Sequence, residues 1–338
     1  MNSKTPMDQF SAHLDRGWDL VKRGDLHGAQ LSAEKSVEID PQSAEAHNLL
    51  GYIHAVQGNA DDALEHYRQA IALEETYVEA MLNAAEVLIH PLHDFDAAVD
   101  MADQALDMAL DSDETADALL VKFDAYMSKG DREAAVKVAV ALPEGPFESA
   151  RLDFLVGRAR FEVGEFDRAE PLIRSAVARE PENPDGHYYM GMVWESKNER
   201  VEATREFLKA RELDLRLGPS VWASSPESFE QRVADVVTRL QGPLAAALQG
   251  VLLVVSDVPG VEVVADGMDP RAEVLLDESN REGDTPAIRC MFFYQRNIER
   301  AAGSLLYLEE EIQRCVEQEF AIVYPELTKP SSPAAPEI

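Results

Sequence analysis

Small and apolar residues recur through the first two thirds of the chain at a spacing far longer than the period of any single helix or strand. The passage Leu50-Gly51-x-x-His54, Gly58 and Asp62-Ala63-Leu64-x-x-Tyr67-x-x-Ala70 sets the pattern. The Ala63 position recurs as Ala29, Ala98, Ala135, Ala169 and Ala203, so that successive alanines stand 34, 35, 37, 34 and 34 residues apart. Glycines fall midway through four of the copies (Gly24, Gly58, Gly130, Gly164), and Pro41, Pro143 and Pro181 close three of them. Within a copy the period is helical: Ala169, Ile173 and Ala176 keep the i, i+4, i+7 spacing of a buried stripe, and Gly157 after Val156 leaves room for a neighbouring helix. The pattern predicts six helix-turn-helix hairpins over residues 10–216. Each hairpin leaves one side uncovered until the next stacks on it, so the expected architecture is a right-handed α-solenoid with a concave groove. Copies three and four are longer, their first helices lack the Leu-Gly pair, and His90-Pro91-Leu92-His93 sits in the turn of copy three. The superhelix is expected to be irregular there.

The period stops after Leu215. Gly218-Pro219 and Ser224-Ser225-Pro226-Glu227 read as a linker over residues 217–225 and a fresh helix cap. A second domain is expected over residues 226–327, with an amphipathic helix at 229–240, an apolar strand at 251–255 and a strand at 289–294 after a polar loop at 277–285. Its final helix spans about 305–323, with Leu305, Leu308, Ile312, Cys315 or Val316, Phe320 and Val323 at helical spacing. Residues 1–9 form an N-terminal extension, and the Pro- and Ser-rich residues 328–338 are expected to be disordered.

Charge narrows the choice of partner. The 338 residues carry 31 Lys and Arg against 63 Asp and Glu, a formal charge of −32, which repels phosphate backbones and anionic lipid headgroups. Nucleic acid and membrane are therefore excluded as expected partners, and a protein or peptide takes their place, a basic one being the electrostatic match. The imbalance is sharpest over residues 69–121, which hold 13 carboxylates and no Lys or Arg. Glu74, Glu75, Glu79, Asp94, Asp96, Asp100 and Asp103 mark this acidic patch, readable as a solvated face or as a docking surface for a basic partner. His90 and His93 lie inside it as candidate metal ligands, but two His among scattered Asp are a weak signal. The two cysteines, Cys290 and Cys315, are too few for a disulfide framework and read as reduced thiols. No N-terminal apolar core reads as a signal peptide, and the longest apolar stretch is broken by Gln249 and Gly250. A cytoplasmic protein with no cofactor is expected, its oligomeric state open.

The repeat resembles the tetratricopeptide repeat family over residues 10–216. That resemblance implies groove-facing positions on the first helices at Trp18, Asn48, Tyr52 and Leu82, then at Glu86, Leu120 and Asp124, and finally at Phe154, Arg158, Tyr188 and Met192. A stripe of period 3.6 does not separate groove from core, so either role stays open residue by residue. Members of the family that hold a C-terminal carboxylate use a Lys and Asn constellation. Arg151 and Arg158 are the nearest counterparts here, and that mode is not expected.

The second domain resembles the small minimal zincin metallopeptidase family, over about residues 222–327. The resemblance is carried by the passage Gln-Gly-Val-Leu-Leu-Val-Val-Ser-Asp-Val-Pro from Gln249, by Asp269-Pro270-Arg271, and by Tyr294-Gln295-Arg296-Asn297-Ile298-Glu299 leading into the last helix. In that family an H-E-x-x-H motif on the last helix binds zinc, with its Glu as general base. Here Gln318-Glu319-Phe320-Ala321-Ile322 stands at that place, so only Glu319 matches, and Gln318 and Ile322 occupy the ligand positions. All eight histidines lie at or before His187, and the domain has none to give. No Gly-rich phosphate loop, nucleophile elbow or paired-Cys site appears elsewhere. The fold class expected is mainly α, a tetratricopeptide-repeat α-solenoid followed by a small α+β zincin-like domain. The function expected is a non-enzymatic regulator or escort that captures a polypeptide. An assembly scaffold and an enzyme with an unrecognised site are the alternatives.

Overall fold

The computed structural model describes residues 6–278 and 288–325. The chain divides into two compact units, Met1–Pro181 and Glu182–Ile338. The first is all helical: α1 (Pro6–Lys22), α2 (Leu26–Ile39), α3 (Ala44–Val56), α4 (Ala60–Leu73), α5 (Val78–Ile89), α6 (Phe95–Met108), α7 (Ser112–Lys129), α8 (Arg132–Ala141), α9 (Ala150–Glu162) and α10 (Phe166–Arg179). These pair as five antiparallel hairpins, and the first helices also touch in series, α1 on α3, α3 on α5, α5 on α7 and α7 on α9.

The recurrent alanine explains the stacking. Ala29, Ala63, Ala98, Ala135 and Ala169 are all fully buried, as is Ala203 to within 4%. A methyl group at that point of the second helix lets the first helix approach, and a larger side chain would push the pair apart. Between the two helices the chain turns through a residue with positive φ, Gly58 at +81° in the second hairpin. His93 takes the same role in the third hairpin at +54°, which accounts for the missing glycine there. Side-chain caps start many helices: Ser43 accepts from Ala46 N at 3.1 Å, Asp94 from Ala97 N at 3.2 Å, and Asp111 from two amides at 2.9 Å. The irregularity expected in copy four takes the form of an 18-residue α7 paired with a 10-residue α8.

The second unit opens with a further hairpin, α11 (Pro184–Ser196) and α12 (Arg200–Leu217). The sixth repeat therefore lies in this unit, together with α13 (Pro226–Arg239), α14 (Gly242–Ala247), β1 (Leu252–Ser256), α15 (Val261–Ala265), β2 (Val274–Glu278), β3 (Ile288–Tyr294), α16 (Gln295–Ala302) and α17 (Leu308–Val323). The sheet order is β1-β3-β2, with β1 parallel to β3 and β2 antiparallel to it. Phe229, Val233 and Val236 of α13, Met291 and Phe293 of β3, and Ile312, Val316 and Phe320 of α17 form one core.

Several boundaries differ from the sequence reading. Asp277 and Glu278, expected in a loop, end β2, while residues 279–285 of that loop and the tail 328–338 lie outside the described residues. The last helix begins at Leu308, because the chain before it makes turns from residue 304. The expected linker is tied down. Trp222 packs on the C-terminal core, and Ser224 N donates to Glu299 Oε1 at 2.9 Å.

Candidate partner-binding groove

A cleft of about 490 Å³ opens on the first unit between α3, α5 and α7. Tyr52 and Val56 come from α3, Asn83, Glu86 and the adjoining His90 from α5, and Val121 and Asp124 from α7; Tyr67 of α4 lies at its floor. Three residues expected in the groove, Tyr52, Glu86 and Asp124, are thus brought together. Trp18 joins them from the neighbouring hairpin, its ring 5.6 Å from that of Tyr52. Asn83 and His90 are not among the expected groove positions, yet they stand three residues before and four after Glu86, the spacing of one helical face.

The cleft is electrostatically loaded. Desolvation pushes the Glu86 carboxyl above its ordinary range, with Arg151 pulling it back and Asp124 adding to the rise. Desolvation also raises Asp124, against the pull of Arg158, whose Nη2 donates to Asp124 Oδ1 at 3.1 Å. Arg158 is thereby committed to the protein's own carboxylates, including Glu162 at 3.5 Å. Glu86 keeps an exposed side chain and has no ion-pair partner among the described residues. It is a partly desolvated carboxylate facing an open cleft beside two tyrosine rings.

Other expected groove positions are elsewhere. Asn48 is fully buried, and its amide donates to Tyr77 Oη at 3.2 Å and Glu79 Oε1 at 3.3 Å while accepting from Asn83. Leu120 is 4% exposed within the core of the third to fifth hairpins, and Phe154 is 9% exposed. Leu82 packs half-buried against Met81, Ala105 and Ala118. These four serve packing, because the same face of a first helix also meets the next hairpin. Tyr188 and Met192 belong to the second unit, packed with Phe207 and Val264. The Tyr188 hydroxyl donates to Asp269 at 2.8 Å, and the Arg271 guanidinium lies 4.4 Å over its ring.

The acidic patch is less bare than the sequence implies. Lys129 and Lys122 of α7 pair with Asp96 and Asp103, and Asp94 is spent capping α6. Glu74, Glu75, Glu79 and Asp100 remain exposed. The rings of His90 and His93 meet edge to face at 6.5 Å.

In the second unit, Gln318 and Ile322 face outward, Ile322 being 77% exposed, while Glu319 is half-buried against the backbone of Leu276. Burial raises the Glu319 carboxyl. The one cluster of three potential metal ligands among the described residues is Glu273, Glu311 and Cys315. Its cationic place is filled by the protein: Arg314 Nη2 pairs with Glu273 at 2.7 Å and with Glu311, and the Cys315 thiol donates to Glu273 at 3.0 Å. Burial, with Glu273 adding to it, holds that thiol neutral. The passages that carry the zincin resemblance bind the unit together. Asn297 donates to the carbonyls of Pro270 and Ala272 at 3.1 and 2.7 Å, Gln295 to Ser224 O at 2.8 Å, and Arg271 and Arg300 both pair with the buried Asp214.

A tetratricopeptide repeat profile matches residues 14–88 and 155–214. The chain is 29% identical to Tetratricopeptide repeat protein 37 of Xenopus laevis over 116 residues, which is 33% of this chain and 7% of that protein. It is 29% identical to Superkiller complex protein 3 of Homo sapiens over 139 residues, 40% of this chain and 9% of that protein. The chain thus spans less than a tenth of either relative. It is also similar, at 31% over 72 residues, to the Type IV pilus assembly protein PilF of Pseudomonas aeruginosa, covering 21% of this chain and 29% of that protein. The solved structure of Pseudomonas aeruginosa PilF superimposes with a TM-score of 0.52 at 17% identity, over 62% of this chain and 94% of that one. The chain carries tetratricopeptide repeats on a mainly helical, solenoid-like fold. No helix among the described residues is long and apolar enough to cross a membrane.

Proposed function

We propose that this protein is a non-catalytic binding protein that receives a segment of a partner polypeptide, bearing a Lys or Arg, in the cleft formed by Tyr52, Glu86 and Asp124. The observation that carries this reading is Glu86, a carboxylate without an ion-pair partner among the described residues, partly desolvated in a cleft that tyrosine rings of α3 and α4 also line. A basic side chain entering there gains a charge-assisted hydrogen bond, and its aliphatic stem lies against the Tyr52 ring. The exposed Glu74, Glu75, Glu79 and Asp100 add a long-range attraction, which raises the association rate at low salt.

The second unit fits a zincin-like domain that has lost its metal chemistry. It supplies no histidine after His187, and Gln318 and Ile322 stand outward at the expected ligand positions. Such a unit offers a second recognition surface, which favours a regulator or escort acting in the cytoplasm. An assembly scaffold is the second reading, favoured by the names of two relatives, a complex subunit and a pilus assembly protein. One stoichiometric partner in native complexes marks the first reading, and several mark the second.

Selection of displayed random peptides on the full-length protein tests the cleft. Enrichment of basic peptides with an apolar neighbour, lost in Glu86→Lys, is the expected result. Enrichment unchanged by that substitution would remove the cleft from the proposal. Peptide cleavage by the purified protein would overturn the non-catalytic reading.

A further inference from the structure

The second hairpin carries three histidines in one stack that nothing in the groove uses. His47 and His54 stand seven residues apart on one face of α3, and His66 of α4 lies between them. The ring of His66 is 5.5 Å from that of His47 and 5.4 Å from that of His54, on which it lies nearly parallel. His47 Nδ1 and His66 Nδ1 face each other at 3.3 Å.

The proton positions follow from the partners. His47 Nε2 is 3.4 Å from the carbonyl oxygen of Pro41, a group that only accepts, so the proton of His47 sits on Nε2 and its Nδ1 presents a lone pair. A second imidazole faces that lone pair, and His54 Nδ1 is buried without a hydrogen-bond partner among the described residues. The sixth hairpin shows what is unusual here. His187 and Glu206 have the same 19-residue separation, and there a carboxylate meets the imidazole Nδ1 at 2.6 Å.

We propose that His47 and His66 bind a divalent transition-metal ion of the zinc class through their Nδ1 atoms, with water completing the coordination. Zinc sits about 2.0–2.1 Å from an imidazole nitrogen, and two such ligands at a tetrahedral angle are about 3.3–3.4 Å apart, which is the separation present. The bond from His47 Nε2 to a backbone carbonyl is the outer contact that fixes a metal-binding imidazole in its tautomer. On binding, the aquo ion gives up two waters, and the Nδ1 proton of His66 passes through solvent to Nε2. The ion would pin α3 to α4 beside Tyr52 and Tyr67, independently of what the cleft receives.

The test is titration of the full-length, untagged protein with Zn²⁺, read by calorimetry and by the imidazole resonances of the histidines. The expected result is one ion per chain, with shifts at His47 and His66, binding lost in His47→Phe and in His66→Phe, and binding kept in Cys315→Ser and His93→Ala. Phe preserves the aromatic packing of the hairpin, and unchanged helix content verifies that each variant folds. Zinc binding that survives the His47→Phe/His66→Phe pair, or excess zinc that leaves both imidazoles unshifted, overturns the proposal.

Discussion

Gly51→Ala puts the packing of the second hairpin to a direct test. Gly51 lies in the middle of α3, where a Cβ would stand 2.6 Å from both Cδ1 and Cε1 of Tyr67 and 3.0 Å from its Cγ. Ordinary carbon contacts are about 3.5–4.0 Å, so the ring has to move by about 1 Å. Tyr67 is 1% exposed and packs among Ala63, Leu64 and Ala84, which restrict how far its ring can shift. Overpacking of this kind costs roughly 1–3 kcal/mol, and two contacts this short place it near the upper end. Alanine recovers about 1 kcal/mol of helix propensity relative to glycine. The net expectation is a loss of about 2 kcal/mol, equivalent to a roughly 30-fold larger opening equilibrium constant for the hairpin. Hydrogen exchange of α3 and α4 amides in the full chain reads that change locally. In a Tyr67→Leu background the clash is removed, and the same substitution should become neutral or stabilising. A Gly51→Ala variant as protected as the parent would refute the close approach of α3 and α4 at this point.

Glu86→Gln should stabilise the folded protein at neutral pH. Because folding raises the Glu86 pKa, its ionised form opposes folding above that raised value, and the penalty fades as pH falls below the ordinary carboxylate range; the gain should fade in parallel in urea titrations at several pH values. Asp214→Ala leaves Arg271 and Arg300 without their shared buried carboxylate and should cost about 3 kcal/mol, seen as lost exchange protection in α16 and β3; unchanged protection would mean that the pairing contributes nothing to stability. Native-state thiol labelling should reach the half-exposed Cys290, with Cys315 reacting only on unfolding because it is 2% exposed and hydrogen-bonded to Glu273; equal labelling rates would contradict that burial.

The repeats were legible because one chemical requirement, a methyl-sized residue where two helices cross, returns at almost fixed spacing from Ala29 to Ala203. The groove was legible only in part. A first helix of a hairpin uses the same stripe to line the cleft and to meet the next hairpin, so Tyr52 and Glu86 fell on one side of that division and Asn48, Leu120 and Phe154 on the other. In the second unit, α16 was missed because its sequence, Gln-Arg-Asn-Ile-Glu-Arg-Ala-Ala, is mostly polar. Its Gln295, Asn297 and Glu299 are nevertheless buried, made tolerable by hydrogen bonds to carbonyls and amides far away in sequence. Strand β2, with Val-Leu-Leu-Asp-Glu, was too short and too close to a polar stretch to stand out. The histidine pair of the second hairpin joins residues 19 apart across a turn, a spacing that matches no linear metal motif.

A photo-crosslinking amino acid in place of Val56, which is 51% exposed and lines the cleft, addresses capture in the first unit most directly. In the native cell the probe should form an adduct with a defined segment of one partner protein, that segment should contain a Lys or Arg, and the adduct should disappear when Glu86 and Asp124 are both replaced by Lys. An adduct indifferent to those two substitutions, or partner adducts only from a probe placed at Gln318 in the second unit, would contradict recognition through this groove.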